Sequence, residues 1–233
     1  EMCIRDRCIR SHHRLLGWKR HSNQALATRP RADRVGRLVS LVTKYENGVT
    51  RCSWPKLDEL YIEYHDTEWG VPVTGDQEVF ERIALEGFQA GLSWITILKR
   101  REGFRKAFKN FDLNKVARMT ETDVERLMND VGIIRNRAKI EATIHNARLI
   151  LQLQKQGESI SDIVWSHAPA ASRRKRAATD FEWVATSDES DAMSKTLRKL
   201  GFKFVGSTTM YAMMQAIGML NDHAPGCFRR GQL

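Results

Sequence analysis

From Cys52 onward, apolar residues recur at three- and four-residue steps, which is the spacing of one face of an α-helix. Strand signals are nearly absent, because the run FKFV at 202–205 is too short to build a sheet. The segment VFERIALEGFQAGLSW shows the pattern most clearly, with a predicted buried face of Val79, Phe80, Ile83, Ala84 and Phe88. The sequence therefore predicts an all-α fold in a single compact domain.

Start and stop signals divide this region into separate helices. Thr120 and Asp123 are spaced as a capping box, which predicts a helix start at that point. Gly132 is expected to separate this helix from a longer one that Gly157 ends. Upstream, we expect the helical pattern of LSWITILKRREGFRKAFKNF to break near Gly103.

The net charge of +10 comes mainly from residues 1–51, which hold 12 Lys and Arg against 4 Asp and Glu. The remaining chain is nearly balanced, so total charge alone does not mark it as a nucleic-acid-binding domain. Residues 1–48 are rich in Arg and lack a sustained apolar period, which predicts a disordered or non-native extension. A basic nucleic-acid-binding tail and an Arg-rich targeting segment remain open alternatives for it.

No apolar stretch reaches the roughly 20 residues that a membrane helix needs, so no membrane partner is expected. The four cysteines, at 3, 8, 52 and 227, are too few and too scattered for a disulfide framework in a chain of this size. We therefore expect a soluble, monomeric protein of the cytoplasm.

Two Cys and His pairs stand near opposite ends of the organised region. The string NDHAPGC places His223 and Cys227 around a Pro-Gly turn, and Cys52 and His65 lie upstream. Together they are a Cys2His2 set, the kind of ligand set that zinc prefers. The alternatives are a hydrogen-bonded histidine at a helix end and small, buried cysteines, since this is not a standard zinc-finger spacing.

Aromatic residues are concentrated around one carboxylate. Glu86 lies at the end of a predicted buried helix face, among five aromatic residues that are close in sequence: Trp54, Tyr61, Tyr64, Trp69 and Trp94. Such a group can hold an extruded nucleobase, because aromatic faces stack on the base and a polar group reads its edge. The alternatives are aromatic side chains that only fill a core and a Glu86 exposed to solvent.

Five blocks of this sequence resemble the bacterial 3-methyladenine DNA glycosylase I family, in order and with similar separations. They are RCSWPKLDELYIEYHDTEWGVP, LEGFQAGLSWITILKRRE, VGIIRNRAKI, GFKFVGSTTMYAMMQAIG and NDHAPGC, which together span residues 50–228. The resemblance implies a helical member of the helix-hairpin-helix glycosylase superfamily, with the domain in residues 49–233 and a natural start at Val49. It also implies one structural Zn2+, a clasp that joins the two ends of the domain through Cys52, His65, His223 and Cys227.

The resemblance also assigns roles in the base pocket. Glu86 would be the catalytic-site residue that accepts hydrogen bonds from the adenine edge and favours a cationic base. Tyr64 and Trp94 would stack on the base. The other members of the pocket would be Tyr61, Trp54 and Trp69. The implied activity is hydrolysis of the glycosidic bond of N3-methyladenine in double-stranded DNA, without lyase activity, releasing free 3-methyladenine.

Contacts with DNA are expected at two loops. Gly91 and Leu92 would fill the gap that the extruded base leaves. The hairpin in VGIIRNRAKI would bind phosphates through backbone N–H groups and basic side chains. Its expected DNA-binding residues are Gly132, Ile133, Arg135 and Lys139.

Two departures from known patterns bear on the activity. The superfamily's catalytic aspartate usually follows Gly-Pro, and this tripeptide is missing here; Asp162 is the nearest downstream carboxylate. Hydrolysis is therefore expected to rely on the lability of the substrate bond. Relatives can have a hydroxyl residue where this chain has Ala212, which leaves the finer base preference open. A non-catalytic zinc-stabilised DNA-binding module and a glycosylase for another alkylated base remain alternatives.

Overall fold

Helices dominate the part of the chain that the computed structural model describes, residues 40–171, 174 and 181–233. They are α1 (Glu59–Thr67), α2 (Asp76–Gln89), α3 (Trp94–Leu98), α4 (Arg101–Ala107), α5 (Leu113–Ala117), α6 (Glu121–Met128), α7 (Arg137–Lys155), α8 (Ile160–Trp165), α9 (Asp188–Lys199) and α10 (Ser207–Ala216). Single helical turns lie at Lys109–Phe111, between α4 and α5, and at Phe228–Gly231, after α10. None of the described helices is both long and apolar enough to cross a membrane.

Side-chain caps fix several helix starts. The Asp58 carboxylate accepts the N–H of Tyr61 at 3.2 Å at the start of α1. The predicted capping box of Thr120 and Asp123 opens α6 and is confirmed. Asn136 caps α7 by accepting the N–H of Lys139. These local bonds satisfy helix N–H groups that have no partner within the helix.

Helix α2 lies at the centre of the core and packs against α3, α7, α8 and α10. Its C-terminal half is covered on every side, because all six residues from Ile83 to Phe88 are buried. The apolar ones contribute to one hydrophobic cluster that reaches most of the helices. Glu86 is the charged residue of this stretch, so the packing of α2 carries a carboxylate into the interior.

The expectation of an all-α fold is wrong in one respect, since the described residues include a two-stranded antiparallel sheet. Strands β1 (Val42–Lys44) and β2 (Thr50–Cys52) pair with Val42 opposite Cys52. The turn between them contains Asn47 and Gly48, and Gly48 has a φ of 80°. Asn-Gly is a common hairpin turn because both residues tolerate positive φ. This signal lies just upstream of the helical pattern, and the prediction missed it.

The prediction of a disordered or non-native extension over residues 1–48 is mostly untested by the structure. Residues 1–39 lie outside the described residues. Residues 40–48 are described, and they hold β1 and part of the turn.

The helix break expected near Gly103 lies instead at Lys99 and Arg100, between α3 and α4. Gly103 is inside α4, where its backbone faces the loop between α6 and α7. A Cβ atom on Gly103 would lie 2.2 Å from the carbonyl oxygen of Gly132. Glycine is therefore needed for the close approach of two backbones rather than for a break.

Substitution of Gly103 by Ala should destabilise the protein, although alanine is the better helix former by about 1 kcal/mol. The clash with Gly132 must push the α6–α7 loop away from α4, at a cost of roughly 1 to 3 kcal/mol. Chemical denaturation of both proteins measures the difference. Gly231→Ala is the control, because a Cβ there meets nothing within 4 Å; a G103A protein as stable as the wild type would contradict this contact.

Candidate functional site

Four side chains from both ends of the domain form a buried cluster: Cys52, His65, His223 and Cys227. One potential ligand atom from each lies within 4.8 Å of the others. The Nδ1 atom of His223 is 3.2 Å from the Nε2 atom of His65, 3.8 Å from the Cys52 sulfur and 3.6 Å from the Cys227 sulfur. The residues that sequence analysis grouped as metal ligands are therefore adjacent in space.

The remaining ring nitrogens of both histidines face oxygen acceptors. His65 Nδ1 is 2.7 Å from Asp66 Oδ1, and Asp66 is held by Arg51 through hydrogen bonds of 2.7 and 2.9 Å. His223 Nε2 is 3.2 Å from the carbonyl oxygen of Trp69. Such partners fix the tautomer and leave His65 Nε2 and His223 Nδ1 free to bind a metal. This arrangement is common around metal-binding histidines.

The distances in the cluster fit a tetrahedral metal site. Bonds of about 2.3 Å to sulfur and about 2.1 Å to nitrogen place tetrahedral ligand atoms roughly 3.3 to 3.8 Å apart. Four of the six distances among the ligand atoms of Cys52, His65, His223 and Cys227 run from 3.2 to 3.8 Å, and all four atoms lie within 4.8 Å of one another. The N–H of Ala224 also donates to the Cys52 sulfur at 3.2 Å, which favours a thiolate. These four residues could therefore hold a metal ion.

A cavity of about 230 Å³ lies beside this cluster. It is lined by all six residues expected in the base pocket: Trp54, Tyr61, Tyr64, Trp69, Glu86 and Trp94. Helices α1, α2 and α3 supply four of them, and Trp54 and Trp69 come from the segments on either side of α1. The predicted grouping of these residues around one space therefore agrees with the structure, while their roles toward a ligand stay predictions.

Glu86 is the carboxyl group in the cavity wall. Its side chain is buried, with 3% of the residue exposed, and its Oε2 atom makes no hydrogen bond within the described residues. Burial raises the pKa of Glu86 to about 8, and the positive charge of Arg82 lowers it only in part. An unpartnered buried carboxyl is costly, and such groups occur where a ligand supplies the missing partner.

The aromatic residues form adjoining walls around Glu86. The ring centroids of Tyr64 and Trp94 are 5.4 Å apart, with an angle of 46° between the planes. Because these two rings contact each other, a ligand in the cavity would lie against the pair of rings and not between them. The Nε1 atom of Trp94 is buried and has no hydrogen-bond acceptor within the described part of the chain. The cavity thus offers an unpaired acceptor from Glu86 and an unpaired donor from Trp94.

Two of the cavity walls also belong to the Cys/His cluster. The Trp69 ring packs edge-on against the His223 ring at 4.6 Å, and the Trp69 carbonyl oxygen accepts a hydrogen bond from His223 Nε2. Trp54 packs edge-on against His65 at 5.2 Å and against Trp69 at 5.1 Å. The histidines of the cluster therefore help to position Trp54 and Trp69, which form two walls of the cavity.

On the opposite side of the cavity, sequence reasoning pointed only to Ala212. The additional lining residues are Gln89, Trp183, Val184, Ala212, Gln215 and Ala216. Asp222 orders part of this side, because its Oδ2 accepts hydrogen bonds from the Tyr211 hydroxyl at 2.6 Å and from Gln215 Nε2 at 2.9 Å. A signal was present for α10, where residues 212, 215 and 216 share one helix face. Nothing local pointed to Trp183, which lies in a connecting segment.

The loop after α2 has the features expected of a wedge. Gly91 has a φ of 84°, and a Cβ on it would meet nothing within 4 Å. Leu92 is 42% exposed, and it lies in the chain between the cavity residues Gln89 and Trp94. The two residues follow directly from the helix that carries Glu86.

The loop between α6 and α7 fits the expected phosphate contacts less well. The N–H of Gly132 donates to Asp130 Oδ1 at 2.8 Å, so an acidic side chain already occupies this donor. Ile133 is buried, whereas Arg135 is exposed. Lys139 is buried, and its Nζ donates to the carbonyl oxygens of Phe88 and Ala90. These bonds do not favour phosphate contacts from the Gly132 N–H and from Lys139, because both donors have partners within the protein.

Asp162, the nearest carboxylate downstream of the hairpin, is exposed in α8 and does not line the cavity. Its position does not support a role as a catalytic aspartate.

Substitution of Glu86 by Gln should change how stability depends on pH. Because the folded-state pKa of about 8 lies above the ordinary 4.5, the protonated carboxyl stabilises the fold fully below about pH 4.5. This contribution is lost as the pH rises through about 8. The neutral Gln variant should thus gain roughly 1 to 4 kcal/mol on the wild type at about pH 9 and almost nothing at about pH 5. Urea denaturation at both pH values tests it, with Glu102→Gln, an exposed site, as the control; equal differences at the two pH values would contradict a buried Glu86.

Comparison with known proteins agrees with this site. The sequence profile of the family described as methyladenine glycosylase matches residues 54–230. The DNA-3-methyladenine glycosylase 1 of Escherichia coli (strain K12) is 54% identical over 177 residues, which cover 76% of this chain and 95% of the relative.

Solved structures show the same likeness. A crystal structure of a 3-methyladenine DNA glycosylase I is 51% identical with a TM-score of 0.73, covering 76% of this chain and 98% of that one. A structure that addresses 3-methyladenine recognition by the Staphylococcus aureus glycosylase I is 34% identical with a TM-score of 0.71, covering 77% and 96%. The profile matches most of the chain, including Glu86 and three of the four Cys/His residues, and the Escherichia coli relative is 54% identical, so this chain belongs to the methyladenine glycosylase family.

Proposed function

We propose that the protein is a DNA repair glycosylase that extrudes N3-methyladenine from alkylated double-stranded DNA and excises it, leaving an abasic site. The observation that carries this proposal is the buried, unpartnered Glu86 Oε2 in an aromatic cavity. The comparisons support it, because the named relatives are 3-methyladenine glycosylases.

Charge is the basis of the proposed selectivity. Methylation at N3 makes adenine in DNA a cation, whereas normal adenine is neutral. Burial keeps Glu86 protonated at neutral pH, since its pKa is about 8. A cationic base offsets the cost of the buried carboxylate, so the lesion enters as Glu86 releases its proton. Neutral adenine carries no charge that offsets the cost of a buried carboxylate. It therefore meets a protonated Glu86, which is a weaker hydrogen-bond acceptor than the carboxylate.

The aromatic walls supply the remaining affinity. Stacking of a base on an aromatic side chain is worth about 1 to 3 kcal/mol, and a hydrogen bond to a charged group about 1.5 to 3 kcal/mol. The paired rings of Tyr64 and Trp94 form one proposed stacking surface, with Trp54, Tyr61 and Trp69 as further walls. Together these interactions can separate the lesion from normal adenine by several powers of ten.

The chemical step is hydrolysis of the bond between the base and the deoxyribose C1′ carbon. The bond electrons return to the cationic base, which leaves as neutral 3-methyladenine. Water adds to C1′, and its excess proton passes to solvent. Glu86 is the carboxyl group found in the cavity wall, and it is assigned to recognition. We therefore propose that the leaving-group quality of the lesion drives the reaction, and that no lyase step follows.

We assign the DNA contacts to residues whose side chains are exposed to solvent. Leu92, together with Gly91, is proposed to fill the space that the extruded base vacates, because it is apolar, exposed and next to the cavity. Arg135 in the α6–α7 loop is proposed to contact phosphate. Gly132 and Ile133 shape this loop, which we propose as the hairpin of a helix-hairpin-helix motif.

The metal cluster is proposed to bind one structural Zn2+ per chain. Two thiols and two imidazoles at tetrahedral distances support zinc over the hard cations, which prefer oxygen ligands. With all positions taken by protein ligands, the ion would stabilise the fold and take no part in hydrolysis. Thiolate ligands and a DNA substrate also favour the cytoplasm as the site of action. The monomeric state stays a prediction.

Replacement of Glu86 by Gln should slow the release of 3-methyladenine at least about 100-fold, because the amide keeps the shape of the side chain but cannot hold a negative charge. Chromatography of bases released from DNA methylated at several positions measures this loss and identifies the preferred lesion. Glu102→Gln is the matched control.

Binding of duplex DNA separates the glycosylase from a non-catalytic DNA-binding module. The Glu86 variant should bind an abasic-site duplex within about twofold of the wild type, since the change lies inside the cavity. Excision at the wild-type rate by this variant would remove Glu86 from the proposed mechanism.

Metal analysis tests the zinc proposal. We expect close to one zinc per chain in the wild type and less than half in Cys227→Ser, with thermal unfolding lowered by at least about 5 °C. His145→Ala should keep its zinc, because His145 lies outside the cluster and its Nε2 faces the carbonyl oxygen of Gly201. A folded wild-type protein without zinc, or a Cys227 variant that retains it, would contradict the assignment.

A further inference from the structure

Lys139 is a buried cation that no ion pair explains. The residue is 8% exposed, and no carboxylate lies within ion-pair distance of it in the part of the chain that the structure describes. Its Nζ donates instead to the carbonyl oxygens of Phe88 at 2.9 Å and Ala90 at 2.6 Å. Burial lowers the pKa of Lys139, which reflects the cost of keeping an ammonium group away from water.

The two carbonyl acceptors of Lys139 lie at the C-terminal end of α2. Phe88 is the penultimate residue of α2 and Ala90 is the residue that caps its C-terminal end, where orphan acceptors and the negative end of the helix dipole favour a cation. Ala90 has left the helical conformation, with φ of −47° and ψ of 115°. Gly91 and Leu92 come next. Lys139 therefore fastens the base of the wedge loop to the first turns of α7.

Few other contacts restrain this loop. A Cβ on Gly91 would meet no atom within 4 Å, and Leu92 is largely exposed. The N–H of Leu92 donates back to the carbonyl of Gln89, which is a bond within the loop itself. The Lys139 ammonium is the buried link from this loop to another helix. A loop that must push on stacked bases needs such an anchor, because an unrestrained leucine would yield to the duplex.

We propose that Lys139 is a positioning residue that holds the loop of Gly91 and Leu92 rigidly over the cavity, so that base extrusion from duplex DNA depends on it. The inference rests on the proposed wedge role of Leu92. Lys139 lies in α7, directly after the α6–α7 loop, so the link also joins a proposed phosphate-contacting loop to the wedge. A DNA phosphate bound at Arg135 would then lie at a fixed distance from Leu92.

The test compares Lys139→Met with Leu92→Ala and with the double variant. Methionine retains the length and apolar contacts of the lysine stem but donates no hydrogen bond. Lys203→Met is the matched control. Lys203 is exposed and lines, together with Lys139, a second and smaller cavity next to α2, and its replacement also removes one positive charge. Single-turnover excision is measured on duplex DNA and on single-stranded DNA, where the lesion is already unstacked. Affinity for free 3-methyladenine and the unfolding temperature report on the pocket and the fold.

We expect Lys139→Met to slow excision from duplex DNA by about 10- to 100-fold and excision from single-stranded DNA by less than about threefold. Affinity for the free base should not change. The double variant should be no slower than the slower single variant, because both changes disable one loop. Lys139→Arg, which keeps N–H donors, should recover most of the duplex rate.

Other results would overturn the inference in distinguishable ways. Equal losses on duplex and single-stranded DNA, or weaker binding of the free base, would show that Lys139 only supports the pocket. Additive losses in the double variant would mean that Lys139 and Leu92 act separately. If Leu92→Ala excises from duplex DNA at the wild-type rate, the proposed wedge itself fails; if Leu92→Ala is impaired and Lys139→Met is not, only the role of Lys139 fails.

Discussion

The meeting of the two ends of the domain in one buried Cys/His cluster is the constraint on which the rest of the site depends. The ligand atoms come from residues as far apart in the chain as Cys52 and Cys227, and they lie within 4.8 Å of one another. The cluster also places the cavity, because Trp69 packs on His223 and Trp54 packs on His65. A zinc ion in this cluster would therefore stabilise the fold and the aromatic walls together, with no direct role in the chemistry.

The selectivity that we propose for Glu86 has a cost in stability. The packing of α2 on four other helices removes water from the carboxyl, and this removal raises its pKa to about 8. The same desolvation destabilises the folded protein at alkaline pH and makes a cationic ligand favourable. Stability and recognition thus oppose each other at one residue. Because the lesion already carries the charge that weakens its glycosidic bond, a site that selects for charge also selects for a base that leaves readily.

Several elements were predictable because their signals are local. The capping box of Thr120 and Asp123 depends on a spacing of three residues, and the buried face of α2 depends on helical periodicity. The Asn-Gly turn before β2 was equally local and was missed, since it lies outside the helical pattern. Gly103 was read as a break because local reasoning cannot see that another backbone, at Gly132, approaches it.

The amino-acid sequence by itself determined the helical class of the fold, which follows from residue types and spacings. It also predicted that the four Cys and His residues lie together and that the aromatic residues surround Glu86, and for these two groups the family resemblance decided between the alternatives. Only the tertiary structure decided that Lys139 is buried against the end of α2 and that Trp183 closes the far side of the cavity. The reason is physical: whether an ammonium group meets a phosphate or a carbonyl depends on which surfaces cover it, and distant helices supply those surfaces.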